Sequence, residues 1–369
     1  MNLDLMNKAK TNRGRLFPLQ SFLILFSLSC SSPLLAYEIV PGSTIYDTST
    51  TIIGVNHIGL SVRDLDAALE FYQAASGFEL IRRETVKENS VADNLYGREN
   101  VEYEVAVLEA PNMLFELREF SHNRNIPLSK MPVFGPGMTH TCFQTPSNRS
   151  GVDRFKAVGA EMLTRGGDAI DLGGYGVTYA YAYDPDGNMF ELEQLDEGPI
   201  SEVANKVKWI GEGKDMWMTQ VALVTHDIDR LTDFYAEILA IPPYREGDYV
   251  NNPRINEIAD IDELSLRATW FRMNARSKTL EFWEYRDPAT PTHIGNRDAA
   301  DLGYSYSIEV GDIQQEYTRM AELGVHFVSE PVLLGDFWQV NANDIDGNSF
   351  SLRQVVNPAS PYSVPQLEQ

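Results

Sequence analysis

Cysteine is nearly absent from this chain, and so are several other features that would narrow its role. Its 369 residues include two cysteines, Cys30 and Cys142. If the chain is cut after Ala36, as its N-terminus suggests, Cys142 stands alone and no intrachain disulfide is possible. Basic residues are scarce: 30 Lys and Arg stand against 53 Asp and Glu, for a net charge of −23. That balance argues against a nucleic-acid partner, whose phosphates need Lys and Arg, and against an anionic membrane surface. The acidity reads most simply as a source of solubility. The apolar run Phe22-Leu23-Ile24-Leu25-Phe26 is too short to span a bilayer, so no stable membrane insertion is expected.

What is present is a globular composition, 43% hydrophobic, in a chain too long for one ordinary core. The first residues stand apart. Lys8, Lys10, Arg13 and Arg15 precede the short apolar run, and Leu34-Leu35-Ala36 follows it. That order matches a secretory signal over residues 1–36 and implies export to a periplasmic or extracellular space. Cys30 raises lipid anchoring as a lesser option, but Ser27 occupies the position where a lipoprotein signal carries Leu.

Beyond the signal, one pattern recurs four times: an apolar strand, an amphipathic helix, then further strands. The first strands are Val55–Leu60, Met138–Phe143, Met218–Leu223 and Tyr304–Ile308. The last strands include Phe115-Glu116-Leu117, Phe190-Glu191-Leu192, Leu280-Glu281-Phe282 and Phe350-Ser351-Leu352. Leu65, Ala68, Leu69 and Tyr72 mark the first helix, with Asp64 at its start and Gly77 as its stop. Units 2 and 4 share a turn, Asp184-Pro185-Asp186-Gly187-Asn188 and Asp344-Ile345-Asp346-Gly347-Asn348, made of residues that accept tight turns. The fold class expected is α+β, four βαβββ units paired into two domains. An open sheet edge needs a partner, and pairing unit 1 with 2 and unit 3 with 4 gives domains at 50–197 and 216–356. Residues 198–215 then form a linker and 357–369 a loose tail. The charged stretch 82–101 reads as a lid or a disordered insert.

Superposed, the units place His57, His140, Gln220 and Ser305 at one position, and Glu116, Glu191, Glu281 and Ser351 at another. A lone strand histidine is ordinarily a packing residue. Two at equivalent positions, each matched by a glutamate, point to a metal site of His57, Glu116, His140 and Glu191. Imidazole plus carboxylate suits one divalent ion among Ni, Co, Zn, Fe and Mn. Such an ion polarises a substrate oxygen, and Glu116 or Glu191 can move a proton beside it. On this reading Glu281 lacks His partners and is a structural acid, and the second domain holds no metal. Tyr181 is a candidate substrate contact on a strand whose tyrosines otherwise read as buried. Cys142 shares the face of His140 and reads as a small buried residue. His122 reads as an exposed loop histidine.

The repeated units, the first-strand histidines and the Asp-Pro-Asp-Gly-Asn-x-x-Glu ending resemble the vicinal oxygen chelate superfamily. This group includes glyoxalase I, extradiol dioxygenases, methylmalonyl-CoA epimerase and bleomycin-resistance proteins, and the resemblance covers residues 50–356. It implies a small-molecule substrate and one metal ion. Glyoxalase I draws a His and a Glu from each of two units, which would be His57, Glu116, His140 and Glu191, so a lyase or isomerase is the leading expectation. Extradiol dioxygenases hold Fe²⁺ with two His and one Glu, matched by His57, His140 and Glu191. Tyr181 to Glu191 fits their Tyr-x-x-Asp-Pro-x-Gly-x-x-x-Glu signature, although Leu172-Gly173-Gly174 stands where that signature has a His. A non-catalytic small-molecule binder is the third reading. A homodimer is among the assemblies open to paired units, as is a site shared between two chains.

Overall fold

The computed structural model describes residues 49–367, apart from 88, 202, 204, 274–278 and 293–294. The expected signal over residues 1–36, with Cys30, therefore lies outside the described residues.

Unit 1 comprises β1 (Ile52–Val62), α1 (Leu65–Ser76), β2 (Glu79–Val86), α2 (Ser90–Tyr96), β3 (Tyr103–Glu109) and β4 (Leu114–Phe120). Unit 2 comprises β5 (Gly137–Pro146), α3 (Gly151–Ala157), two short strands β6 (Glu161–Met162) and β7 (Ile170–Asp171), β8 (Val177–Tyr183) and β9 (Met189–Leu195). Two short helices, α4 (Glu197–Ile200) and α5 (Lys206–Gly211), occupy the connection to unit 3. Unit 3 has β10 (Trp217–Val224), α6 (Ile228–Leu239), β11 (Arg245–Val250), α7 (Pro253–Ala259), β12 (Ser265–Arg272) and β13 (Thr279–Asp287). Unit 4 has β14 (Gly303–Val310), α8 (Ile313–Glu322), β15 (His326–Phe327), β16 (Val332–Leu334), β17 (Phe337–Asn343) and β18 (Ser349–Val355). A last turn, α9 (Val364–Leu367), buries Val364 and Leu367, so the tail is anchored rather than loose.

Local chemistry sets these boundaries. Asp64, Asp227 and Asp312 cap α1, α6 and α8 by accepting backbone N–H bonds. Gly77 ends α1 in the left-handed region at φ 76°. In the shared turn Asp184 Oδ1 accepts from the backbones of Asp186 and Asn188, and Tyr72 Oη donates to Oδ2 at 2.9 Å. Asp344 repeats the arrangement with Tyr235. Residues 82–101 are not an insert: they carry the end of β2 and all of α2, which Asn89 caps.

The pairing of units differs from the sequence expectation. One sheet, sheet I, runs β15-β17-β18-β14-β1-β4-β3-β2, with β16 on β17; the other, sheet II, runs β11-β12-β13-β10-β5-β9-β8-β6, with β7 on β8. Unit 1 is therefore joined to unit 4 and unit 2 to unit 3, through antiparallel first strands. The boundaries 50–197 and 216–356 cut across both sheets. Buried polar partners explain the choice. Across the β1–β14 seam Asn56 Nδ2 donates to Glu309 at 2.6 Å, and Arg353 of unit 4 meets Glu116 of unit 1 at 3.3 Å. Across β5–β10, Thr141 Oγ1 donates to the Gln220 carbonyl at 2.7 Å and Trp217 Nε1 to Gln144 at 2.6 Å. A different pairing would leave these buried groups without partners, at about 1–3 kcal/mol each.

One face of each sheet packs into a common core. Ile58, Leu60, Phe115 and Leu117 of sheet I join Phe143, Phe190, Leu192 and Phe282 of sheet II in one apolar cluster with α1, α6 and α8. Strand alternation sends the intervening residues to the opposite face of each sheet. There the repeat positions that carry His and Glu lie.

Candidate metal centre and crevice

Strand register places the chemistry on sheet II. Cys142 on β5 pairs with Glu191 on β9, and Ala222 on β10 pairs with both His140 and Glu281. Paired residues share a face, as do residues two apart. His140, Cys142, Glu191, Glu193, Gln220 and Glu281 thus all project from one side. Ligand atoms of His140, Glu191 and Glu281 lie within 4.8 Å of one another. Gln220 joins them, its Nε2 donating to Glu191 Oε2.

The donors are prepared to hold a cation. Thr139 Oγ1 sits 3.0 Å from His140 Nδ1, and an N–H there leaves Nε2 as a bare lone pair. His140 Nε2 is buried without a hydrogen-bond partner, and burial pushes this imidazole down to about 3, so it is neutral. Thr219 holds Gln220 Oε1 at 2.9 Å. Rotating that amide by 180° would keep a bond to Thr219 and turn the carbonyl oxygen into the site. Glu281 is fixed by two indoles, from Trp270 at 2.6 Å and Trp283 at 3.2 Å.

The acids are electrostatically strained without a cation. Burial raises Glu191 well above the ordinary carboxylate range, aided by Glu193 and Glu281. Glu193 is pushed up to about 7 by burial, and Glu281 also to about 7 by burial and Glu193. Three buried carboxylates on one wall favour protons or a multivalent cation. A buried neutral imidazole, carboxylates and an amide fit a divalent metal of the borderline class. The crevice around them is lined by Tyr179, Tyr181, Tyr249, Trp270 and Arg245, among others. Arg245 stacks on Trp270 at 4.4 Å.

Two of the four expected ligands are elsewhere. His140 and Glu191 belong to this centre, but His57 and Glu116 lie on sheet I and do not join them. The correction follows from the unit pairing. Gln220 and Glu281 stand beside them instead, whereas the sequence alone reads Glu281 as a structural or solvated acid and unit 3 as metal-free. The repeat alignment already put both residues at ligand positions; the signal discounted was that a glutamine can offer a carbonyl oxygen. Glu193 and Arg245 were missed, although Glu193 follows Glu191 by two and so shares its face. Tyr181 lines the crevice, with its ring centroid 5.0 Å from that of His140. Cys142 is wholly buried beneath Glu191 and Glu193. His122 lies outside the centre, its Nε2 3.2 Å from Arg98.

A model of the Glyoxalase/Bleomycin resistance protein/Dioxygenase superfamily matches residues 54–192. That match places the stretch 54–192 in this superfamily. Lactoylglutathione lyase GLX1 of Arabidopsis thaliana is 27% identical over 185 residues, which is 50% of this chain and 54% of the relative. The match thus spans about half of that protein's length. Glyoxalase I from Zea mays superposes with a TM-score of 0.54 at 20% identity, covering 82% of this chain and 92% of its own. A putative dioxygenase from Bacillus subtilis gives a TM-score of 0.54 at 12% identity, covering 87% and 91%. These two likenesses establish the fold.

Of the two sheets, sheet I carries the poorer set of donors. Its four equivalent positions are His57, Glu116, Ser305 and Ser351, and the serines supply no strong ligand. Two residues beyond the glutamate position, on the same face, stand Arg118 and Arg353, both buried. Arg118 Nε lies 2.9 Å and Arg353 Nη2 3.3 Å from Glu116. Despite the burial, Arg118, His57 and Arg353 hold the Glu116 carboxyl far below the usual range. Burial and Arg353 hold His57 down. Guanidinium groups take the place a cation would need.

Proposed function

We propose that the crevice of sheet II is the active site of a metal-dependent lyase or isomerase of glyoxalase I type, acting on a small oxygenated substrate. The observation that carries this reading is the convergence of His140, Glu191 and Glu281 within 4.8 Å on one buried face, with Gln220 beside them. His140 Nε2, the Gln220 carbonyl oxygen, Glu191 and Glu281 would hold one divalent ion, which when bound supplies Lewis-acid polarisation of a substrate oxygen. Glu281, fixed by two indoles, serves to orient. Glu191 accepts from the Gln220 amide and the Cys142 thiol and has a raised proton affinity. It is the group suited to take a proton from a substrate carbon and return it to the neighbouring one. The aromatic walls exclude water from that exchange, and Arg245 offers a countercharge to an acidic substrate.

A ring-cleaving dioxygenase would need two imidazoles on one ion. Because His57 and His140 lie in different sheets, that ligand set lacks support. Metal analysis of the purified protein should find one divalent ion per chain, lost in His140→Ala and kept in His57→Ala. Hydroxycarbonyl substrates, including the glutathione adduct of a 2-oxoaldehyde, should gain deuterium at carbon in D₂O without oxygen uptake. Oxygen consumption with catechols, or full metal content in His140→Ala, would refute the proposal.

Export is a second part of this reading, motivated by the basic start, the short apolar run and Leu34-Leu35-Ala36. N-terminal sequencing of the native protein should begin at Tyr37; a native protein that still starts at Met1 inside the cell would end the idea.

A further inference from the structure

Among the described residues sheet I lacks the donor set of sheet II, yet it too holds a cleft. A cavity of about 250 Å³ is lined by Arg82, Glu116, Arg353, Phe337, Val107 and Leu334, among others. Its wall carries Arg82 and Arg353 against Glu84, Glu116 and Asp336, but Glu84 and Asp336 are exposed and screened by solvent, which leaves the excess of cations in the buried layer. Arg82 pairs with Glu84, and Asp336 is exposed at the rim. Deeper in, two buried guanidiniums, Arg118 and Arg353, share one carboxylate, Glu116. Burying an uncompensated cation is expensive unless something pairs with it.

The guanidinium of Arg353 is presented to the cavity in a fixed plane. Its Nε and Nη2 donate to Gln339 Oε1 at 3.2 and 2.8 Å, and it lies 4.0 Å over the Phe337 ring. Nη1 has no hydrogen-bond partner among the described residues. Arg118 is held by Tyr96 Oη at 3.4 Å and Ser305 Oγ at 3.3 Å. The replacement looks built in: a Cβ on Gly59 would overlap Arg118 Nη2 and Ser305 Oγ, so only glycine leaves room for that guanidinium. His57 Nε2, buried on the same face, also lacks a partner.

From this geometry we infer that the sheet I cleft is a second ligand site, which binds a small organic carboxylate through Arg353 and Arg82. The carboxylate gives the buried guanidinium pair a second anion beside Glu116, and a planar guanidinium recognises it by paired N–H donors. Phe337, Val107, Leu114 and Leu334 form the wall for the ligand's apolar body. The site is separate from the sheet II centre and takes no metal.

Titration calorimetry of the full chain with benzoate, acetate and inorganic phosphate tests the assignment. Benzoate should bind, and Arg353→Met should weaken it by about tenfold or more. His140→Ala should leave benzoate affinity unchanged, because that variant disturbs only the metal centre. If Arg353→Met does not fold, Phe337→Leu, at a half-buried edge, should weaken benzoate several-fold while leaving metal content intact. Unchanged affinity in a folded Arg353→Met or Phe337→Leu variant would overturn the inference, as would loss of binding in His140→Ala. Binding of phosphate with none of benzoate would overturn the assignment to a carboxylate.

Discussion

The two sheets are built on one plan, and they differ in the sign of the charge that their inner face collects. At the four ligand positions sheet II keeps His140, Glu191, Gln220 and Glu281, whereas sheet I keeps His57 and Glu116 and fills the rest with Ser305 and Ser351. At the next position along the last strands sheet II has Glu193 and Trp283, and sheet I has Arg118 and Arg353. Sheet II therefore gathers three carboxylates around a neutral imidazole; sheet I gathers two guanidiniums around one carboxylate. One scaffold can invert the electrostatics of its cavity with a handful of substitutions, because strand register keeps the same positions facing inward.

The sharpest break of that comparison is in metal retention. His140→Ala and Glu281→Gln should each strip the ion and reduce turnover by at least about 100-fold, while Glu116→Gln should leave both unchanged. Equal losses in Glu116→Gln and Glu281→Gln, measured by elemental analysis, would erase the distinction between the sheets. Glu116→Gln should instead act on stability. It leaves Arg118 and Arg353 buried without their anion, at about 3 kcal/mol or more in urea unfolding.

The pH response should also separate the sheets. Glu193 and Glu281 ordinarily titrate near 4.5 but are raised to about 7 in the fold. The folded protein then holds more protons than the unfolded chain between these values, so metal-stripped protein should lose stability as pH rises from 4.5 to 7. Glu116 runs the other way: its folded value is depressed, so its contribution is present above 4.5 and lost as pH falls below it. Metal loading should flatten the rise-dependent loss and leave the acid limb in place. Chemical unfolding at stepped pH, with and without a chelator, reads both limbs. An identical slope with and without metal would place the raised carboxylates outside the centre.

The smallest effect expected concerns the residue between the ligands. Gly59 and Cys142 occupy equivalent positions, but a methyl group at 59 meets Arg118 and Ser305. Gly59→Ala should cost about 1–3 kcal/mol, whereas Cys142→Ala, which puts at 142 what Ala222 already supplies, should cost about 1 kcal/mol. Reversal of that order in urea midpoints would mean that Arg118 is not held as described.

Much of this was visible in the residues alone. The helix start at Asp64, the stop at Gly77 and the Asp-x-Asp-Gly-Asn turns are local, so short stretches encode them. The equivalence of His57, His140, Gln220 and Ser305 also followed from repeat spacing. Unit pairing did not. All four first strands are apolar and capable of antiparallel pairing, and the contacts that select partners, such as Glu116 with Arg353 or Gln144 with Trp217, join residues far apart in the chain. With the pairing unknown, the ligand set was split the wrong way, because only units carrying both a His and a Glu were counted. The arginines of sheet I carried no motif; they acquire meaning only when register puts them beside Glu116.

The arrangement of units nests one sheet inside the other along the chain. Sheet II is made from a continuous stretch, Gly137 to Asp287, and needs nothing from either end to complete its seam. Sheet I joins β1 to β14, so strands separated by some 250 positions must find each other. During synthesis the sheet II crevice can therefore assemble while unit 4 is still unmade, and the N-terminal unit waits with an open edge until the last strands emerge. A chain shortened after β13 would keep His140, Glu191, Gln220 and Glu281 together but leave that early unit unclosed.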